Sequence, residues 1–473
     1  MNLRSDGPLN ANDSMVSLTE LPPEVLHNVL QYLDPSDLAF VPRVCQALHH
    51  AVRGNAMLFK HVYLAHFDKP ARDKVNWEAE SQGPGERSEL AFVHDTVTEA
   101  LKNACVDGER ATSSTTYPYS RNAALLLELF SAHENHAGTF ASPPKKEHQM
   151  SAKLHCLYGV PMLYAQRSPH ETRQGKMSPF ACSKVYDIRQ YTARTRWGPF
   201  MDDGSDRVDW EKVEAILLVI GANLKELGLN SFPICKNFWD TPFAGVWPRS
   251  YLALPMDDEE VIEQSPLELQ DPYGVTGTWL RVVCFLDYTD FFDFNFSVEQ
   301  EQPANIPRRA IDYGEATRLI LMRITVDRIE PPGPEDGQDL PVVHFKGVSR
   351  EINAKVAETG TVRLTPEGEV RWTTFSIFNG QERWRSESVQ LGGVKSAKGV
   401  LGNWFDKPDC ILENIRTKFI WQNGNHGDLL YPGGVFTHNP NYDPDYDSSD
   451  DLDVGSEDDY DEDTEGDEGA EIK

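Results

Sequence analysis

The chain has 473 residues, of which 40% are hydrophobic and 10% aromatic, an ordinary composition for a soluble protein. Its length gives a prior of about three domains. The formal net charge of −29 argues against a nucleic-acid-binding surface. That charge is uneven: from Asp443 to Lys473, sixteen Asp or Glu residues stand against one Lys, a net −15 that leaves −14 for the 442 residues before them. The seven cysteines (Cys45, Cys105, Cys156, Cys182, Cys235, Cys284 and Cys410) are scattered, odd in number and never spaced Cys-x-x-Cys. This pattern fits a reducing compartment and offers no zinc site. No basic stretch followed by an apolar run opens the sequence, and the longest apolar run, Ala215 to Ile220, is too short to span a bilayer. The expected location is the cytoplasm, the nucleus or both.

In chain order, residues 1–17 are polar and expected to be disordered. Leu18 to Tyr63 is then dense in helical signals. Pro22 and Pro23 suit a first helical turn, and Glu24 favours the positive end of the helix dipole. Leu21, Val25, Leu26, Val29, Leu30 and Leu33 recur at steps of three or four. Asp34-Pro35 starts a second helix, and Pro42 interrupts it. A third runs from about Arg43 to Arg53, carries Val44, Cys45, Leu48 and Val52, and stops at Gly54. Three short helices cannot bury this much apolar surface alone, so the segment either starts a larger core or exposes an interaction face.

Leu21-Pro22-x-Glu24-Val25-Leu26, Leu30, Leu33, Asp37-Leu38 and Val44-Cys45 resemble the F-box in order and spacing. Leu48 and Phe59 stand where that family commonly has Trp; both are apolar, so the core should survive and adapter affinity is what they affect. The resemblance implies docking on a Skp1-type adapter and, through it, membership of a cullin-RING ubiquitin ligase. It nominates Leu21, Pro22, Val25, Leu26, Val29, Leu30, Leu38, Val44 and Cys45 as adapter-binding residues, some of which must form the helical core instead.

Beyond this segment, helices are expected from about Ser88 to Cys105, Arg121 to His136 and Ser151 to Tyr158, with loops around Gly83-Pro84-Gly85, Asp107 to Tyr119 and Pro143-Pro144. Another helix is expected over Val185 to Thr195, and a strongly amphipathic one follows the cap Asp209. After Gly245 the pattern turns to β. Thr278 to Leu286 reads as a strand buried on both faces, and Ile320, Met322, Ile324 and Val326 alternate with mostly polar neighbours. Glu330 to Leu340 is a solvated loop, and turns at Pro366-Glu367-Gly368 and Asn379-Gly380 mark two successive hairpins. The glycine-rich run Leu391 to Asp406 lacks the order of a phosphate loop. It reads as a permissive turn followed by a strand.

That run, with Trp197-Gly198-Pro199-Phe200, Asp206 to Trp210 and Tyr273 to Trp279, also resembles the C-terminal region of a fungal class of F-box proteins. The class looks related to the cyclin-D-binding F-box proteins, whose C-terminal β-barrel presents substrate. The expected architecture is therefore α+β. It comprises a three-helix F-box at 18–63, a helical linker at 64–182, a mostly β substrate-binding domain (antiparallel barrel or sandwich) at 183–440, and a disordered acidic tail at 441–473. Ser448, Ser456 and Thr464 in the tail each have an acidic residue three positions on, the pattern acid-directed kinases accept.

Three functional classes compete. A self-sufficient enzyme would need paired metal ligands, an activated cysteine or a hydrolase motif, and none is found; no catalytic residue, metal ligand or cofactor is expected. A substrate receptor would contribute proximity, with catalysis in other subunits. An adapter-bound scaffold outside a ligase is the alternative. For the receptor, Trp372, Arg383, Trp384, Arg385 and Trp404 are the candidate substrate contacts near a barrel mouth.

Overall fold

A computed structural model of the chain describes residues 18–69, 89–105, 120–131, 147–159, 178–226, 242–251, 265–297, 306–311, 314–351, 354–378, 380–406 and 416–423. The expected disorder at both ends, the tail phosphoacceptors and Cys410 lie outside these residues. The chain divides into two units, 1–425 and 426–473, and all described residues belong to the first.

The N-terminal helices are α1 (Pro23–Leu30), α2 (Pro35–Phe40), α3 (Gln46–Val52) and α4 (Ala56–His66). The expected third helix begins later, because residues 41–43 form a 3-10 turn around Pro42. A fourth helix joins the three that were expected. Asn55 caps it by accepting the Leu58 N–H at 3.1 Å, and its amide donates to the Ala51 carbonyl at 3.1 Å. Leu26, Leu30, Leu38, Leu48, Val52, Leu58 and Val62 form the common core, with Leu33 and Phe59 packed against it.

A buried aspartate joins this bundle to the next layer. Asp68 follows α4, and its carboxylate accepts from Ser120 Oγ (2.6 Å) and from the backbone N–H groups of Cys105, Arg121 and Asn122. It thereby caps the N-terminus of α6 (Arg121–Ser131), where unpaired N–H groups and the helix dipole favour an anion. The Asp68 N–H donates in return to Asn122 Oδ1 at 2.8 Å. Helix α5 (Glu89–Lys102) and α7 (His148–Tyr158) complete this layer through Leu90, Val97, Leu101, Leu126, Leu154 and Leu157. In α6, Leu129 is exposed.

The expected helix over Val185 to Thr195 is displaced. Helix α8 covers Ser178–Tyr186 and ends where the Asp187 carboxylate binds the guanidinium groups of Arg189 (2.7 Å) and Arg308 (3.2 Å). A single 3-10 turn follows at Ile188–Gln190, and the loop then leaves right-handed helical space, with Arg196 and Trp197 at φ 52° and 60°. Two contacts fix it: Arg196 pairs with Asp206 (2.9 Å), and Gly198 lies so close to Glu387 that a Cβ there would be 2.5 Å from Glu387 Cβ.

Helix α9 (Trp210–Glu226) is capped by Asp209, which accepts the Lys212 N–H at 3.2 Å. It is buried almost all round, packing on α7 and α8 and across the sheet. A short helix α10 (Pro266–Gln270) precedes the sheet, closed by a capping box between Ser265 and Glu268.

The sheet is an antiparallel meander of β1 (Gly277–Phe285), β2 (Ala316–Glu330), β3 (Val342–Glu351), β4 (Ala354–Leu364), β5 (Val370–Phe378), β6 (Gln381–Gln390), β7 (Val400–Asp406) and β8 (Arg416–Asn423). Each strand pairs with its successor, and β8 pairs with β1, so the sheet closes into a barrel rather than a sandwich. The hairpin turns fall where expected, with Gly368 and Gly380 at positive φ. Register shifts leave Asp327 of β2 and Arg383 of β6 as extra residues and bend those two strands. Helix α11 (Tyr288–Phe296), between β1 and β2, was not foreseen.

Alternation sorts the barrel residues. Trp279, Met322, Ile324, Val343, Phe345, Val362, Val370, Trp372 and Val400 pack together as one interior cluster. Val283, Ile320, Trp384 and Trp404 form a second. The opposite faces of β1, β6 and β7, through Val282, Cys284, Val389 and Leu401, join α8, α9 and α11 in the largest core.

Candidate functional site

Helix α1 carries more apolar surface than its core consumes. Leu26, Leu30 and Leu33 face the bundle. About 100° around the helix, Val25, Val29 and Tyr32 repeat at steps of four and three and form a second stripe. Both valines are 43% exposed and Tyr32 is 82% exposed. Pro22 sits at the N-cap in extended geometry, and its carbonyl accepts the N–H groups of Val25 and Leu26 at 2.9 Å each. The start of the stripe is therefore fixed. Further exposed apolar side chains come from Leu18, Phe40, Val44 and Met57, with the Arg43 guanidinium 5.2 Å from the Phe40 ring.

The adapter residues nominated from the sequence separate into two groups. Val25, Val29, Val44, Pro22 and Cys45 are exposed, and Leu21 is half-buried. Leu26, Leu30 and Leu38 are buried in the four-helix core, so they hold the helices together rather than offer a surface. Tyr32, Phe40 and Met57 were missed. Tyr32 was legible, since it lies seven residues after Val25; Phe40 and Met57 depend on how the later helices fold back.

Across the α1–α4 contact, His27 Nε2 and His61 Nδ1 are 3.1 Å apart, with the rings edge to face. Neither neighbours a third ligand: among the described residues, no group of three or more His, Cys, Asp or Glu is placed to hold a metal ion. Among them also, no helix is long and apolar enough to cross a membrane.

The barrel residues nominated for substrate contact mostly turn inward. Trp372 is buried, donates its indole N–H to Gln390 Oε1 at 3.1 Å, and packs edge to face on Trp279 at 4.9 Å. Trp384 and Trp404 are also buried, their ring centroids 5.0 Å apart. All three are core residues. Arg385 is bound to the carboxylate of Glu387, which also takes Arg371 at 2.9 Å. Arg383 alone of the five is exposed, with its guanidinium 5.6 Å from Trp384 and 5.9 Å from Phe378.

Sequence reasoning did not find the polar centre of the barrel. Arg281 points inward between Trp279 and Val283, and pairs with Glu358 at 3.0 Å, both side chains being almost wholly buried. Ser376 Oγ donates to the Glu358 carboxylate, and the Arg281 guanidinium also meets Met322 Sδ and lies 5.8 Å from the Trp404 ring. The partners are 77 residues apart. Only closure of the barrel brings them together. Arg281 Nε, Thr374 Oγ1 and Ser388 Oγ are buried without a hydrogen-bond partner, so the interior keeps unused polar capacity.

Buried lysines flank the sheet. Lys212 Nζ donates to the Gln190 carbonyl at 2.9 Å beneath the Tyr191 ring, and burial pushes its pKa down to about 8. Burial alone pushes Lys398 down to about 7.

A family model described as F-box-like matches residues 18–65, the α1–α4 bundle. F-box domains generally bind Skp1-type adapters. No curated protein and no solved structure matches the chain.

Proposed function

We propose that the chain is a non-catalytic substrate-recognition subunit of a Skp1–cullin–F-box ubiquitin ligase. In this reading the F-box-like bundle docks on the adapter and the barrel layer holds a protein substrate for ubiquitin-dependent degradation. The observation that carries the reading is the exposed Val25/Val29/Tyr32 stripe, apolar surface on the F-box-like segment that its own core does not use. The resemblance of the C-terminal region to fungal and cyclin-D-binding F-box proteins supports assigning the substrate to the barrel. Two links support a fixed geometry between the two, because a receptor must hold substrate at a set distance from the ubiquitin donor. Asp68 ties the bundle to the helical layer, and Lys153 of α7 pairs at 2.7 Å with Glu369 at the β4–β5 turn. We place the complex in the cytoplasm or nucleus.

The test is reconstitution of the purified chain with a Skp1-type adapter, a cullin-RING module and ubiquitin-charging enzymes. Adapter-dependent ubiquitination of the chain or a captured protein is the expected result. Tight adapter binding with no ubiquitin transfer to either would instead make the chain a scaffold acting outside a ligase.

A further inference from the structure

Helix α11 exposes an aromatic ladder. Tyr288, Phe292 and Phe296 recur at steps of four and are 49%, 41% and 38% exposed. The rings touch in series, with centroids 6.1 Å apart for Tyr288–Phe292 and 4.9 Å for Phe292–Phe296. The other side of the helix is firmly seated. Phe291 and Phe294 enter the main core, and Asn295 donates to the Tyr186 carbonyl at 3.0 Å. Arg308 closes the C-terminus by donating to the carbonyls of Phe294 (2.8 Å) and Asn295 (3.1 Å). The ladder is therefore a rigid surface.

Its charge selects the occupant. By helical geometry, one edge of the ladder runs into the buried ridge and the other meets Asp293, three residues before Phe296; Asp290 lies about 160° round from Phe292, on the far side. Neither carboxylate has an ion-pair partner among the described residues, and α11 itself contains no basic residue. A second copy of the chain would bring Asp293 towards its own counterpart across a symmetric contact, in a protein already carrying −29. An anionic membrane surface would be repelled likewise. A cation that stacks on ring faces and pairs with carboxylates satisfies both features, and the planar guanidinium does this better than an ammonium.

We propose that the Tyr288/Phe292/Phe296 face of α11, edged by Asp293, docks an arginine-bearing basic segment of a protein partner. The site is separate from the adapter stripe and does not depend on it.

The probe is a nona-arginine peptide, with nona-lysine as the comparison, added to the full chain at about 150 mM salt, where exposed charges further apart than about 8 Å are largely screened. Hydrogen exchange monitored over 286–297 should slow with nona-arginine and slow less with nona-lysine. Phe292→Ser with Phe296→Ser leaves the charge unchanged and should weaken nona-arginine binding about tenfold, the sum of two lost ring–cation contacts. Asp293→Asn, which keeps the rings, should weaken it as well and covers the case in which the double serine variant misfolds. Equal binding by wild type and both variants, or protection confined to other segments, would overturn the proposal. So would a concentration-dependent dimer abolished by the serine variant, which would assign the face to a second copy.

Discussion

Replacing Val25 and Val29 by Asp separates adapter docking from folding. Each valine is 43% exposed, so complete burial against a partner gains about 0.6 kcal/mol per side chain, taking about 1.5 kcal/mol for a whole valine. The larger effect comes from the carboxylates, because placing an unpaired charge in an apolar contact costs several kcal/mol. The total loss should reach at least about 3 kcal/mol, or more than about 100-fold in Kd. The free chain should hardly notice. Both positions face solvent, Val and Asp have similar helix propensities, and the first of the two new carboxylates would lie in the opening turn of α1, where negative charge is favoured. Titration calorimetry of the purified chain with a Skp1-type adapter, beside thermal unfolding of each variant, measures both quantities. Leu26→Asp with Leu30→Asp should also abolish binding, but by unfolding the bundle, since both leucines are core. Wild-type affinity in a folded Val25→Asp/Val29→Asp chain would refute the docking face.

Four further outcomes are expected. Leu30→Ala should destabilise the bundle by about 2–5 kcal/mol, the usual cost of a cavity at a buried leucine, measured by denaturant unfolding of the α1–α4 signal. Glu358→Gln leaves Arg281 buried without its counter-ion and should cost about 3–5 kcal/mol, whereas Arg281→Met combined with Glu358→Leu should restore most of that stability. Asp68→Ala removes the cap of α6 and the tie to α4, and should accelerate hydrogen exchange at Arg121 and Asn122 while leaving the barrel unchanged. Lys398→Met should stabilise the chain most at and below pH 7. The folded lysine titrates near 7 and the unfolded one near 10.5, so the unfolded chain binds more protons between those values and wild-type stability rises with pH across that window. The advantage of the variant should shrink by roughly 1.4 kcal/mol per pH unit, seen in unfolding titrations at pH 7, 8 and 9.

The barrel was legible where local chemistry decides. The alternation of β2 and the turns at Gly368 and Gly380 are period-2 and positive-φ signals, and each needs only a few neighbouring residues. Closure was not legible, because the pairing of β8 with β1 joins segments 130 or more residues apart and leaves no mark on either strand. The displaced helix shows the same limit. Val185 to Thr195 has helical composition, but Asp187 is taken by Arg308 from a distant segment, and that long-range pair ends α8 at Tyr186. Helix α11 escaped notice because its aromatic-rich sequence reads equally well as a buried strand.

The candidate site divides along the same line. Periodicity identifies apolar positions on α1, but a stripe of 25, 29 and 32 beside one of 26, 30 and 33 looks like a single broad apolar face until the remaining helices choose one of them. The choice is made by Leu48, Val52, Leu58 and Val62, which approach from α3 and α4 and cover only the leucine side. The same reasoning explains the tryptophans of the barrel. Trp372, Trp384 and Trp404 sit on strands at parities that point inward, so each was bound to become core once the sheet closed. Arg383 and Arg385 sit on β6 at the opposite parity; Arg385 is half-buried against Glu387, and Arg383 reaches solvent. Surplus apolar surface, rather than apolar surface as such, is therefore the feature on which both proposed docking faces rest. It occurs on α1 and again on α11, with the Asp293 carboxylate bordering the second.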